Sequence, residues 1–243
     1  MKTFSALMMV IILLIVSGCN KTTESDTPSP NLTDDLVAYW SFTGNTDDDS
    51  GNGHVGILKG ATLIDDRFGN ANSAYYFDGI DDYITIKETD GFDDFDDPET
   101  EFTLSAWCNP DPGASGFIFS NCTEDGWHDL RMSNQIPRFG IRDTDWTGTV
   151  FNSDEPVSAN EWHHFVGIFN DPNMTIYVDG QNKGTTPFIG NILSSGGWEN
   201  GGIRIGVTYL LDPWHFEGGI DDVRIYNRVL FETEVLELYN EGI

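Results

Sequence analysis

The feature that most constrains this chain is a succession of short apolar runs of strand length, each bounded by Gly, Asn or Asp. From residue 36 onward they fall at 36–42 (LVAYWSF), 74–77, 83–86 (YITI), 102–107 (FTLSAW), 116–119, 138–142 (RFGIR), 162–169 (WHHFVGIF), 174–178 (MTIYV), 202–206 (GIRIG) and 219–226 (GIDDVRIY). Runs this short, punctuated this regularly by turn formers, predict an all-β sandwich. Asp179-Gly180 directly after MTIYV predicts a hairpin, because primed turns need residues that tolerate positive φ, and a strand at 181–186 is expected to pair back. One helix is expected at the C-terminus, where Val235, Leu236, Leu238 and Tyr239 follow acidic residues and precede Gly242. It is expected to pack over one end of the sandwich.

The N-terminus reads differently. Lys2 precedes the apolar run 7–16 (LMMVIILLIV), which ends in Val16-Ser17-Gly18-Cys19. Such a run is well short of the ~20 residues of a membrane-spanning helix and has the layout of a secretory signal. VSGC resembles the bacterial lipobox, which implies a signal peptide over 1–18 and lipidation of Cys19; ordinary cleavage and secretion is the alternative. Asn20 at the next position points, by the same resemblance, to the outer membrane. Residues 19–35 carry prolines and no apolar pattern and read as a lipidated flexible tether, leaving 36–243 as the domain.

Twelve Lys and Arg against 40 Asp and Glu give a formal charge of −28. That field excludes nucleic acid as a partner and leaves contact with a membrane to the lipid anchor alone. The 13% aromatic content is too high for a disordered acidic chain. Against this background one basic cluster stands out. Arg131, Arg138 and Arg142 fall in HDLRMSNQIPRFGIRD, two expected strands around a Ser-Asn-Gln turn. Alternation places Leu130, Met132, Phe139 and Ile141 on one face and the three arginines on the other, flanked by Trp127 and Trp146. Guanidinium forks recognise carboxylate or sulfate and indoles stack on sugar rings, so a polysaccharide or glycoconjugate, anionic in particular, is the indicated ligand. Internal pairing with Asp129, Asp143 or Asp145 is the competing explanation. Trp198 and Trp214 suggest a second, loop-borne platform.

The order of motifs resembles the laminin-G-like domains of the concanavalin A-like lectin and glucanase superfamily. The residues that carry it are 36–56 (LVAYWSFTGNTDDDSGNGHVG), 66–86 (DRFGNANSAYYFDGIDDYITI), FTLSAW, EWHHFVGIF, MTIYVDG and 219–230 (GIDDVRIYNRVL). The resemblance implies a two-sheet antiparallel jelly-roll sandwich in which the first and last strands are neighbours. It also implies a structural Ca²⁺ between Asp48, in an oxygen-rich Gly/Asp loop, and Asp221 or Asp222; Asx-turns are the alternative for these carboxylates. The chain departs from the pattern at Phe231, where a small capping Ser is usual, and at Cys108, where an aliphatic residue is usual. Cys108 and Cys122 flank an expected hairpin and either form a disulfide in an oxidising compartment or lie as separate buried thiols.

Glucanases of this superfamily use two carboxylates delivered from one strand, as in E-x-D-x-E. The chain has no such pattern, and neither a lyase-type Arg, Gln-x-His and Tyr set nor a G-x-S-x-G elbow. His163 and His164 are adjacent and so point to opposite faces of a strand. The acidic run 90–101 reads as a solvated loop. The expectation is therefore a non-catalytic, carbohydrate-binding module for glycan capture or adhesion, with a protein-binding adhesion module and a glycan-cleaving enzyme of the same fold as alternatives.

Overall fold

The computed structural model describes residues 31–86, 101–123, 126–142, 148–190, 202–208 and 214–242. In chain order the strands are β1 (Leu36–Trp40), β2 (Gly56–Lys59), β3 (Thr62–Ile64), β4 (Ala74–Asp78), β5 (Tyr83–Ile86), β6 (Glu101–Pro110), β7 (Gly116–Thr123) and β8 (Gly126–Ser133). They continue as β9 (Ile136–Arg142), β10 (Gly148–Asn152), β11 (His163–Asn170), β12 (Asn173–Val178), β13 (Gln181–Pro187), β14 (Gly202–Ile205) and β15 (Glu217–Tyr226), followed by helix α1 (Glu232–Asn240).

Two antiparallel sheets result. Sheet A runs β13-β12-β11-β6-β15-β4-β3, with β1 also on β15, and sheet B runs β10-β9-β8-β7-β14-β5-β2. The first and last strands are neighbours, Trp40 lying opposite Val223. The turn between β12 and β13 has positive φ at both Asp179 and Gly180, the geometry that the Asp-Gly pair favours. Three strands, β2, β3 and β10, are marked neither by an apolar run nor by an expected turn, and all lie at sheet edges. An edge strand buries little side chain, so its alternation carries little signal; Ile57 and Leu58 of β2 are exposed.

The main core fills the space between the sheets with Trp40, Phe77, Phe102, Phe119, Phe139 and Phe165. Gly167 on β11 lets the Phe139 ring of the opposite sheet approach the backbone, where a Cβ would meet it at 2.5 Å. A second cluster joins Val166, Ile168, Tyr177 and Tyr226 to Val235 and Leu238 of α1. Val166 and Ile168 alternate with the core residues Phe165 and Phe169, so α1 covers the outer face of sheet A and not one end of the sandwich. This is why β6 and β15 are buried almost throughout, whereas β9 alternates. Among the described residues no helix covers the outer face of sheet B.

The start of α1 solves its missing cap by another route. Phe231 occupies the N-cap in extended conformation with no side-chain cap bond. Its backbone N–H donates instead to Glu234 Oε2 at 2.8 Å, and Arg228 grips the same carboxylate. Arg228 also donates to the carbonyls of Asn31 and Asp34. The last part of the expected tether, 31–35, is thus a turn fastened to sheet A. Cys19 and the rest of the signal and tether lie outside the described residues, as do 87–100 of the acidic run. Among the described residues no helix is long and apolar enough to cross a membrane.

Cys108 carries a free thiol buried in the core, not the expected disulfide. It sits on β6 of sheet A, whereas Cys122 sits on β7 of sheet B, opposite Gly202 and Trp127. The segment between them crosses from one sheet to the other instead of turning a hairpin within one. Burial raises the Cys108 thiol well above its usual pKa, which keeps it protonated and unreactive.

Candidate functional site

Strands β7, β8 and β9 build a basic pocket on the outer face of sheet B. Leu130, Met132, Phe139 and Ile141 enter the core, so the residues between them face outward. Register then fixes who meets whom: Arg131 lies directly opposite Arg138, Asp129 opposite Gly140, and Trp127 opposite Arg142. Two guanidinium groups directly across a strand pair repel each other. Asp129, with no exposed surface, supplies the counter-charge, its Oδ1 standing 3.3 Å from Arg131 Nε. Gly140 makes room for it, because a Cβ there would meet Asp129 Oδ2 at 2.6 Å.

The three arginines line one pocket of about 290 Å³ together with Phe117, Thr208 and Trp214. Arg131 lies over the Phe117 ring at 5.3 Å. Trp214 comes from the segment before β15 and is half exposed. The Phe117 N–H donates to the Trp214 carbonyl at 3.2 Å, which clips this segment to β7. That close approach requires glycine at 116, where φ is +123° and a Cβ would overlap the His215 carbonyl. Burial, and then the neighbouring Arg131, push the Arg138 and Arg142 guanidinium groups below the usual arginine pKa, with Asp129 acting in the opposite sense. They remain charged at any physiological pH. The pocket thus offers cationic forks beside an exposed indole.

Arg131, Arg138 and Arg142 are therefore brought together as their alternation implies. Trp146, Asp143, Asp145 and Trp198 lie outside the described residues, and Trp127 is described by its backbone alone. Internal pairing is realised for Arg131 with Asp129. Trp214, expected on a separate platform, lines the arginine pocket instead. Asp129 and Gly140 were legible in principle, since the same alternation puts them on the arginine face. The partnership of Trp214 with Phe117 spans almost a hundred residues and leaves no local trace.

The expected calcium ligands do not fit the ion. Asp48 spends both carboxylate oxygens on backbone N–H groups, Oδ1 on Tyr39 and Ser50 and Oδ2 on His54. These bonds hold its carboxyl below the usual range despite partial burial. Asp221 and Asp222 face the Arg67 guanidinium, which already places a cation between them, and the Tyr39 hydroxyl donates to Asp222 at 2.5 Å. Burial, with Asp222 alongside, pushes the Asp221 carboxyl well up. The carboxylates of Asp78, Asp81 and Asp82 do come within 4.8 Å of one another. Asp78 accepts the N–H groups of Ile80 and Asp81, and Asp82 accepts that of Asp78, which is the bonding of a tight turn.

A second pocket, of about 440 Å³, contains Ser158, His163 and Asp179. His163 Nδ1 is 2.9 Å from Asp179 Oδ2, and Nε2 is 3.0 Å from Ser158 Oγ. The Ser158 hydroxyl also bonds Glu161 Oε2. A carboxylate only accepts, so the Ser158 hydroxyl donates to Glu161 and His163 Nδ1–H donates to Asp179. Asp179 Oδ1 accepts the His164 N–H, so the set clamps the β12–β13 hairpin to β11. His164 points the other way, to Ser105 and the Trp107 ring.

A laminin-G family model described as the concanavalin A-like lectin/glucanases superfamily matches residues 77–236. The chain belongs to this superfamily. No match to a curated protein was found. Among solved structures, domain 4 of AbnA, a GH43 extracellular arabinanase from Geobacillus stearothermophilus in complex with arabinotriose, is similar with a TM-score of 0.64 and 17% identity. The likeness covers 84% of this chain and 98% of that domain. The botulinum neurotoxin type G receptor binding domain gives a TM-score of 0.64 at 18% identity, over 84% of this chain and 51% of that one. A botulinum neurotoxin type C structure, titled for cell entry dependent on two ganglioside molecules, gives 0.65 at 14%, over 86% and 52%. The chain spans about half the length of these toxin chains. At such identities the likeness establishes the jelly-roll fold alone.

Proposed function

We propose that this superfamily member is a non-catalytic carbohydrate-binding module, tethered to a membrane through Cys19, that captures or adheres to glycans through the outer face of sheet B. The observation that carries the reading is the asymmetry of the sandwich. Helix α1 and the 31–35 turn cover sheet A, while sheet B presents an open pocket with cationic donors and an exposed indole. The arabinotriose and ganglioside named for two similar structures support the ligand class. The outer membrane is the proposed location, on the strength of Asn20. In a glycan array probed with the full chain in detergent micelles, saturable binding to one polysaccharide or glycoconjugate class is expected. Silence from a demonstrably folded protein would refute carbohydrate binding and favour a protein-binding module. Release of reducing ends from a bound polysaccharide would refute the non-catalytic assignment. Cys19→Ala is expected to abolish incorporation of labelled fatty acid.

A further inference from the structure

Three arginines elsewhere in the molecule are matched by carboxylates. Arg67 faces Asp221 and Asp222, Arg224 faces Glu241 and Asp222, and Arg228 faces Glu234. The pocket on sheet B differs. None of the described residues lining it is acidic, and the carboxylate beneath it, Asp129, engages Arg131. Arg138 makes no ion pair with any described residue, and its buried Nε has no hydrogen-bond partner there. A chain with 40 acidic residues against 12 basic ones thus gathers three arginines at one concave site. The direct Arg131–Arg138 apposition repels unless an anion lies between or above the two guanidinium groups.

On the carbohydrate reading above, we infer that the pocket receives the charged group of an anionic sugar, a ring carboxylate or a sulfate ester, on Arg131, Arg138 and Arg142, with Trp214 against the ring. Guanidinium forks bind such oxygens bidentately, which fixes orientation as well as charge. Asp129 holds Arg131 in place from below and leaves Arg138 to the ligand. A volume of about 290 Å³ suits a short stretch of sugar chain rather than an extended surface tract. The strongly negative remainder of the chain disfavours loose adsorption of polyanions, so attraction is confined to the pocket.

The test is calorimetric titration of the full chain in detergent micelles with matched polymer pairs. The probes are polygalacturonate against its carboxyl-reduced form and chondroitin sulfate against its desulfated form; the two pairs separate carboxylate from sulfate recognition. The charged member of at least one pair is expected to bind tenfold or more tightly than its partner. Arg138→Gln is expected to lower that affinity by about tenfold, the loss of a charge-assisted bond. Arg138→Lys, which keeps the charge and loses the fork, is expected to fall between the two. Unchanged melting of both variants excludes a folding defect; if Arg138→Gln melts early, the Lys variant decides. Equal binding of charged and neutral partners, or full affinity in Arg138→Gln, overturns the inference and leaves the carbohydrate reading standing. Binding to none of the probes overturns the inference, and a silent glycan array overturns the reading beneath it.

Discussion

Gly140→Ala is the most economical probe of how the basic pocket is assembled. Gly140 has no need of an unusual φ, so alanine suits its backbone and the only obstacle is Asp129. A Cβ would stand 2.6 Å from Oδ2 and 3.0 Å from Cγ, several tenths of an ångström inside ordinary contact. Asp129 has no exposed surface, so its carboxylate has to move within packed surroundings. Overpacking of this kind costs roughly 1–3 kcal/mol. At about 2 kcal/mol the melting temperature of a domain this size falls by roughly 4–8 °C. The displaced carboxylate also releases Arg131, so affinity for the ligand falls with stability. Urea denaturation of wild type, Gly140→Ala, Asp129→Ala and the double variant closes a thermodynamic cycle. Removing the Asp129 side chain removes the obstacle, so Gly140→Ala is expected to cost less than about 0.5 kcal/mol in that background, a coupling of about 1.5 kcal/mol or more. Equal costs in both backgrounds would refute the assignment of Gly140 as the space reserved for Asp129.

Phe231→Ser is expected to stabilise the protein by about 1 kcal/mol, because Phe231 is 70% exposed and a hydroxyl there restores the missing cap bond; an unchanged or lower melting temperature would count against it. EDTA and added calcium are expected to leave the melting temperature unchanged, since Arg67 holds the cation position beside Asp221 and Asp222; a rise with calcium would contradict this. Stability is expected to fall as pH drops from about 6.5 to 4.5. Burial holds the His128 imidazole down to about 4 and that of His164 to about 3, so the unfolded chain takes up their protons first. Asp221, whose carboxyl is held up in the fold, opposes one of them, and His54, also held down by burial, adds to the loss. Asp48, Asp179 and Glu234, held down in the fold, steepen the loss at lower pH. Stability constant across this range in urea melts would contradict the neutral state of the two histidines.

Most of the sandwich is legible in the apolar runs of its inner strands, since those strands bury the most side chain. The edge strands β2, β3 and β10 are not legible, because exposure removes the contrast between their faces. The position of α1 required knowing that Val166 and Ile168 project from the outer face of sheet A, a consequence of strand order and not of the helix sequence. At the candidate site, period-two alternation was enough to place Arg131, Arg138 and Arg142 together. Trp214 reaches them through the tertiary contact at Gly116. The resemblance pointed Asp221 and Asp222 toward a metal; the partner they meet in the fold is the distant Arg67, which no local pattern announces. Cys108 and Cys122 were misjudged for the same reason, since proximity in sequence hides the crossing between sheets.

The central claim is that ligand binds the outer face of sheet B. Hydrogen–deuterium exchange of the full chain, with and without the best-binding glycan from the array, tests it directly. Protection confined to β7–β9 and the segment at 214–216 is the expected result, with α1 and β12 unaffected. Protection on the α1 side of sheet A, with β8 and β9 unchanged, would contradict the account.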